Sequence, residues 1–243
     1  MNATNIQREA LNTAASRAGF KTTDRYKKRC EFLFRGIPLN GKNVLDVGCG
    51  TGAFAIWAGL HGANRVLGIE PESDGSTSGT YAEFRRSIDI LGLNSIISGE
   101  KKYLSDLTPS DGPFDVVVMY QMINHLDEEA TANLHLGKNE YFDRFVAHIS
   151  HLRTLVSAGG VVIFVDCDRR NFWNDIGRRN PLMPTIEWEK HQPSGIWSNV
   201  FEHAGFQHDK TTWSSMYPLG KMTENWPLHY FTISHFCLRV RAI

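Results

Sequence analysis

Three glycines at alternate positions, Gly48, Gly50 and Gly52, follow an acid, Asp46, within the stretch from Asn43 to Phe54. Val44, Leu45 and Val47 suit an apolar strand, and Ala53 and Phe54 suit a helix start. The glycines between them suit a tight turn that takes positive φ and lets a ligand approach the backbone with no Cβ in the way. A strand, turn and helix in this order hold a nucleotide-like ligand. The string from Gly48 to Ala53 also satisfies the looser dinucleotide fingerprint G-x-G-x-x-[GA], so glycine spacing alone allows a dinucleotide or an adenosyl ligand. The acid favours the second. Two residues before the first glycine, the Asp46 carboxylate would repel a pyrophosphate and attract a ligand with a cationic amino group.

The run Val44-Leu45-Asp46-Val47-Gly48-Cys49-Gly50-Thr51-Gly52-Ala53 resembles the first motif of the class I S-adenosylmethionine-dependent methyltransferases. The similarity extends from about Asn43 to Asp166, and the final strand pair also fits. It implies a Rossmann-like α/β fold: a seven-stranded, mostly parallel sheet with an antiparallel last strand and helices on both faces. It also implies S-adenosylmethionine as cofactor, lined by Gly48, Cys49, Gly50 and Gly52, with Asp46 near the methionine moiety. Glu70, ending the second strand, would take both ribose hydroxyls, and Tyr120 and Gln121, after the fourth strand, would border the methionine half. One position departs from the family. Where many members carry an acid on the adenine amino group this chain has Tyr103, so either Tyr103 borders the adenine or Asp106 makes the polar contact.

In such a family the methyl donor is already activated, and the protein must align a nucleophile and, for a hydroxyl, accept its proton. His125 is the first candidate base, because imidazole titrates near neutral pH; Asp166 and His191 are reserves. No metal is expected. The position where some small-molecule methyltransferases carry a metal-binding acid is Tyr120, and His148 and His151 fall on an amphipathic helix whose exposed face accounts for them. Arg169, Arg170, Arg178 and Arg179 suit an anionic acceptor or simply a solvated charge run. Trp173, Trp188 and Trp197 suit stacking on a ring or packing of the region they occupy.

The elements that must position these groups follow from apolar spacing. Residues 1–40 form a helical extension in which Tyr26, Cys30, Leu33 and Phe34 share a face before Gly36 and Pro38, as a packing helix or a lid. After the glycine turn come a helix from Gly52 to His61, a strand from Arg65 to Glu70, and a helix bearing Tyr81, Phe84, Ile88 and Leu91 that closes at Gly92. Strands follow at Ser95 to Ser98 and Pro113 to Met119. Phe142, Phe145, Val146, Ile149, Leu152 and Val156 then mark a helix ending at Gly159 and Gly160, before a fifth strand from Gly160 to Asp166. Alternation of this kind implies a parallel sheet covered on both faces. Residues 167–193 have no clean period and are expected to form a substrate-side insertion. A helix near Gly195 to His203 and strands near Phe206 to Met216 and His229 to Arg241 complete a single expected domain, 1–243.

Bulk properties narrow the function. With 26 basic and 26 acidic residues the formal net charge is zero, which disfavours nucleic acid as acceptor. The four cysteines form no close pair, and no apolar run approaches the length of a membrane span, so a cytoplasmic setting is expected. The expected activity is methyl transfer to a small molecule or glycan precursor, with oxygen as the expected acceptor atom. An RNA or protein methyltransferase is disfavoured by the neutral charge and by Met119-Tyr120-Gln121-Met122, which lacks the Asn/Asp-Pro-Pro-Tyr/Phe pattern of many amino-group methylases. A non-catalytic cofactor-binding module and a nicotinamide oxidoreductase are the readings from other classes.

Overall fold

The computed structural model describes residues 12–72, 79–214, 224 and 227–243. After a helical stretch over 12–17, the elements are α1 (Thr23–Leu33), β1 (Asn43–Val47), α2 (Ala53–Leu60), β2 (Arg65–Ile69), α3 (Thr80–Leu91), β3 (Ile97–Glu100) and β4 (Phe114–Tyr120). They continue as α4 (Glu128–Asn133), α5 (Asn139–Thr154), β5 (Val156–Cys167), α6 (Phe172–Asp175), α7 (Ser194–His203), β6 (Phe206–Trp213), α8 (Leu228–Phe231) and β7 (His235–Ala242). The strands form one seven-stranded sheet in the order β3-β2-β1-β4-β5-β7-β6. By internal contacts the chain groups into two compact units, Met1–Val118 and Met119–Ile243.

In the first unit β1, β2 and β3 pair in parallel, with Asp46 opposite Gly68 and Val47 opposite Ile69. Four of the five residues of β1 and of β2 are buried, as expected for strands covered on both faces. Helix α2 is apolar almost all round, and Phe54 to Gly59 are all buried, so it lies inside the unit rather than on its surface. Helix α1 is a packing element: Tyr26, Cys30 and Leu33 are fully buried. The Tyr26 hydroxyl donates to the Ala53 carbonyl at 2.7 Å, tying α1 to the start of α2.

One ring organises this unit. Phe84 of α3 is fully buried, and it occupies a slot left by three glycines. A Cβ on Gly52 would stand 2.0 Å from the ring, one on Gly68 2.6 Å, and one on Gly99 3.0 Å. Gly52 also has φ 80, which an L side chain rarely adopts. The last glycine of the motif is therefore required by packing, whereas its spacing alone suggests contact with a ligand.

In the second unit β7 runs antiparallel to both β5 and β6, with Asp166 opposite Phe236. Phe164 of β5, Phe145 of α5 and Trp197 of α7 pack ring to ring, Phe145 to Trp197 at 5.0 Å and Phe164 to Trp197 at 5.4 Å. Trp197 is thus core and not a stacking surface for a ligand. β6 exposes Gln207, His208, Asp209 and Lys210, the polar dressing that keeps an edge strand from pairing with another chain.

Three boundaries differ from those expected. The third strand starts at Ile97, because Ile96 and Ile97 both donate to the Leu93 carbonyl and hold Asn94 to Ile96 in a turn. Helix α5 ends at Thr154 and Val156 already belongs to β5; a buried valine two residues past a helix satisfies either period. The last strand begins at His235, since Leu228–Phe231 is a helical turn closed by Ser234, whose N–H donates to the His229 carbonyl at 3.0 Å. The C-terminal end of the sixth strand as expected, Ser215 and Met216, lies outside the described residues, as do residues 1–11 of the N-terminal extension.

Replacing Phe84 with Ala removes the ring that three elements close upon. The expected loss is about 3–5 kcal/mol of unfolding free energy, read as a shift in urea midpoint at unchanged slope. A loss below about 1 kcal/mol would show that the slot collapses without it.

Candidate functional site

In the unit Met1–Val118 the glycine turn is held from below and from the side. Asp46 is buried, and its Oδ2 accepts the Ala55 N–H at 3.0 Å, placing a carboxylate at the N-terminus of α2. Burial pushes its pKa from 3.8 up to about 7; the Ala55 hydrogen bond opposes that shift and the nearby Glu70 adds to it. The Cys49 N–H donates to the Ile69 carbonyl at 3.0 Å, binding the turn to the end of β2. Gly48, Gly50 and Gly52 all take positive φ, at 65, 52 and 80. Gly50 alone of the last two faces open space, with no atom within 4 Å of where a Cβ would be.

Glu70 follows β2 and is buried, with both oxygens in use: Oε2 accepts the Gly50 N–H at 2.9 Å and Oε1 the Glu72 N–H at 3.2 Å. Glu70 and the turn are therefore joined directly, and Asp46 is close enough to Glu70 to feel its charge. Cys49 is buried, and the same burial raises its thiol well above the usual range, so it stays protonated. Tyr103 has an exposed ring, and Asp106 is occupied locally, its Oδ2 accepting the Tyr103 N–H at 2.8 Å.

In the unit Met119–Ile243, Tyr120 ends β4 with its ring 5.8 Å from that of His235. Gln121 takes φ 50, a strained value for its type, while its N–H donates to the Val165 carbonyl at 2.8 Å. His125 sits in a single turn, Ile123–His125, with a side chain 39% exposed and its Nδ1 3.6 Å from Glu128 Oε1. Asp166, near the end of β5, and His191, in the irregular segment, stand together: His191 Nδ1 lies 2.8 Å from Asp166 Oδ1. Two groups nominated separately from sequence thus form a pair.

The same unit holds a cavity of about 760 Å³ lined by Asp168, Arg170, Ser194, Trp213, His229 and Tyr230, among others. Trp213 and His229 stack at 3.8 Å, and the Tyr230 hydroxyl donates to Asp175 at 2.8 Å. Desolvation raises the pKa of Asp168, which accepts the N–H groups of Arg170 and Ser194. Of the four arginines in the insertion only Arg170 lines this cavity; Arg169 meets His135 at 2.7 Å, and Arg178 and Arg179 are exposed. Trp173 spends its indole N–H on the Phe231 carbonyl. Asp168, Trp213, His229 and Tyr230 were not singled out from sequence. Asp168 had a signal, as the second acid in Asp166-Cys167-Asp168, whereas Trp213 and His229 meet only through folding. Among the described residues no three His, Cys, Asp or Glu side chains gather as a metal site.

A family model described as a methyltransferase domain matches residues 20–211. The chain belongs to this methyltransferase family. A ribosomal protein L11 methyltransferase from Thermotoga neapolitana is 30% identical over 131 residues, 54% of this chain and 41% of that protein. A ubiquinone biosynthesis O-methyltransferase from Chromobacterium violaceum is 27% identical over 147 residues, 58% of this chain and 51% of that one. The matched stretches thus span about half or less of these relatives' lengths. A magnesium protoporphyrin IX methyltransferase from Synechocystis PCC 6803, solved with bound S-adenosylmethionine, superposes with a TM-score of 0.56. That match has 18% identity and covers 90% of this chain and 79% of the other, a likeness of fold.

The methyltransferase cofactor is S-adenosylmethionine, and the turn fits it on two counts. Gly50 leaves room at its Cα, and beside it each Glu70 oxygen keeps a second lone pair beyond the backbone N–H it accepts, the pairing a ribose diol requires. A buried carboxyl with a pKa near 7 adds a testable consequence. Below pH 7 Asp46 of the free protein is protonated, and a cationic ligand favours its ionised form, so binding releases a proton there. Affinity for S-adenosylmethionine is expected to rise from pH 5 to about pH 7 and then level off, and Asp46→Asn to flatten that rise. Titration calorimetry in buffers of different ionisation enthalpy checks it; a pH-independent wild-type affinity would refute the coupling.

Proposed function

We propose that this methyltransferase transfers the methyl group of S-adenosylmethionine to a hydroxyl of a small molecule or glycan precursor. When bound, the cofactor supplies a sulfonium methyl already activated for displacement. The chain's part is to hold the ribose through Glu70, to let the cofactor approach the backbone at Gly48 and Gly50, and to hold the methionine end near Tyr120 and Gln121. Asp46 acts through the turn it braces and through its charge, and Tyr103 borders the adenine with its exposed ring.

The observation that carries the acceptor side is the cavity of about 760 Å³, within the range typical of small-molecule sites. Its wall combines a stacked indole and imidazole with one guanidinium and two carboxylates, which suits a ring-bearing, polar acceptor better than a polymer. Arg170 is the group that would meet an anionic substituent. The relative acting in ubiquinone biosynthesis supports oxygen as the acceptor atom. The ribosomal-protein relative favours a second reading, a protein side chain as acceptor. A cytoplasmic setting is supported by four unbridged, buried cysteines, and among the described residues no helix is long and apolar enough to cross a membrane.

Two measurements test this. Glu70→Ala is expected to weaken S-adenosylmethionine binding by roughly 10- to 100-fold, the worth of hydrogen bonds to a charged acceptor, and to lower the melting temperature as well, because the Gly50 and Glu72 N–H groups lose their acceptor. Incubation of the full chain and labelled cofactor with a cell extract should place label in the low-mass fraction. Label in protein alone would establish the second reading, and cofactor binding without any transfer would make the protein a binding module.

A further inference from the structure

We propose that Asp166 and His191 act as one unit, the proton acceptor of the reaction, so that the acceptor atom is one that carries a proton: a phenolic or alcoholic oxygen. The inference rests on the methyl-transfer reading above. Its first support is geometry. With Asp166 Oδ1 at 2.8 Å as acceptor, His191 Nδ1–H is the donor, and Nε2 then carries the ring's free lone pair. Asp166 is almost wholly buried while the His191 side chain keeps 14% of its surface exposed, so the carboxylate is sheltered and the imidazole is the member that meets solvent or ligand.

Its second support is an orphan atom. Asp166 Oδ2 is buried with no hydrogen-bond partner among the described residues. A buried carboxylate oxygen without a donor is costly, by about 1–3 kcal/mol or more. An arriving hydroxyl, or the imidazolium charge formed beside it, would relieve that cost. Asp166 stands near the carboxyl end of β5, the edge at which open α/β sheets hold ligands.

Its third support is that His191 is not on a free loop. Gln192, fully buried, donates through Nε2 to the Thr131 carbonyl of α4 at 2.6 Å. Lys190 reaches Glu187 at 3.0 Å and Glu128 of α4 at 3.5 Å, and the buried Trp188 sets its ring edge-on to the imidazole at 6.2 Å. The residues before and after His191 are therefore anchored to α4 while Asp166 is fixed in the sheet. His125 has no comparable support, being half-exposed in a single turn with a more distant carboxylate.

The step balances without another reagent. The acceptor's O–H gives its proton to His191 Nε2, and an oxygen lone pair forms the new O–C bond. The C–S pair stays on sulfur as S-adenosylhomocysteine, and the imidazolium, partnered by Asp166, later returns its proton to water.

The test uses the full chain with His191→Ala and Asp166→Asn. Imidazole ¹⁵N NMR should show His191 protonated at Nδ1 and bare at Nε2, with the preference lost in Asp166→Asn. With labelled S-adenosylmethionine and a panel of phenols, catechols and aliphatic alcohols, together with the low-mass fraction of a cell extract, His191→Ala should lower kcat by at least about 10². KM and S-adenosylhomocysteine affinity should stay within a few-fold, and added imidazole should restore part of the rate, which no structural role would allow. Wild-type transfer with His191→Ala within about three-fold would overturn the pair and leave the methyltransferase reading standing. An Nε2–H tautomer, or transfer confined to amines or to protein, would also overturn it. Cofactor binding with no transfer at all would remove both.

Discussion

A carboxylate buried under a glycine turn is the constraint from which the rest of the cofactor half follows. Asp46 has one visible hydrogen bond, from Ala55, and no cation among the groups that govern its charge; Glu70 nearby makes matters worse. Holding it ionised at neutral pH costs of the order of 4 kcal/mol relative to the unfolded chain, from the displacement of its pKa. The sign is that of a destabilising acid: stability falls as pH rises from about 4 to about 7, because the unfolded chain gives up that proton first. A structural device would have been cheaper as a neutral asparagine. On the proposed reading the excess would serve a cationic ligand, which would meet an anion that needs no reorganisation.

Such a turn must also be rigid, or the carboxylate would escape toward water. Rigidity comes from the far side. Phe84 fills the space left by Gly52, Gly68 and Gly99, joining the start of α2 to β2 and β3 through one ring, and Tyr26 fixes α1 to the same helix start at Ala53. The glycines of the motif thus divide by purpose. Gly52 makes room for the Phe84 ring and Gly50 faces open space, although spacing gives them the same status.

The fold was legible in the sequence where period and punctuation agreed. β1, the glycine turn and α2 followed from an apolar run, glycines and a second apolar run, and Gly92 closed α3 as expected, with φ 66. Legibility failed where one apolar residue satisfied two periods, as Val156 did between α5 and β5, and where a short helical turn preceded a strand, as at Leu228–Phe231. At the site the same contrast holds. Asp46, Gly50 and Glu70 could be read because each is placed by its distance from a strand end. Trp213 beside His229, and Asp166 beside His191, are 16 and 25 residues apart and meet only because β7 returns antiparallel along the sheet and the insertion is anchored to α4. No local pattern encodes either encounter.

That difference bears on how an acceptor site can be built on this scaffold. Asp46, Gly50 and Glu70, the residues proposed to hold the cofactor, are tied to strand ends and through the turn to the Phe84 slot, so altering them disturbs the core. Asp168, Arg170 and His191, by contrast, come from a segment with little regular structure of its own, in which ordering the backbone costs about 1–2 kcal/mol per residue. A segment of that length is worth ordering only if a few strong anchors fix the positions that matter and leave the rest loosely constrained. Gln192 on Thr131, Lys190 on two glutamates and Asn180 on the Thr232 carbonyl are such anchors, with exposed Arg178 and Arg179 just before Asn180 and exposed Leu182 between Asn180 and Lys190. The chain thus spends its rigidity at His191 and at the wall of the cavity.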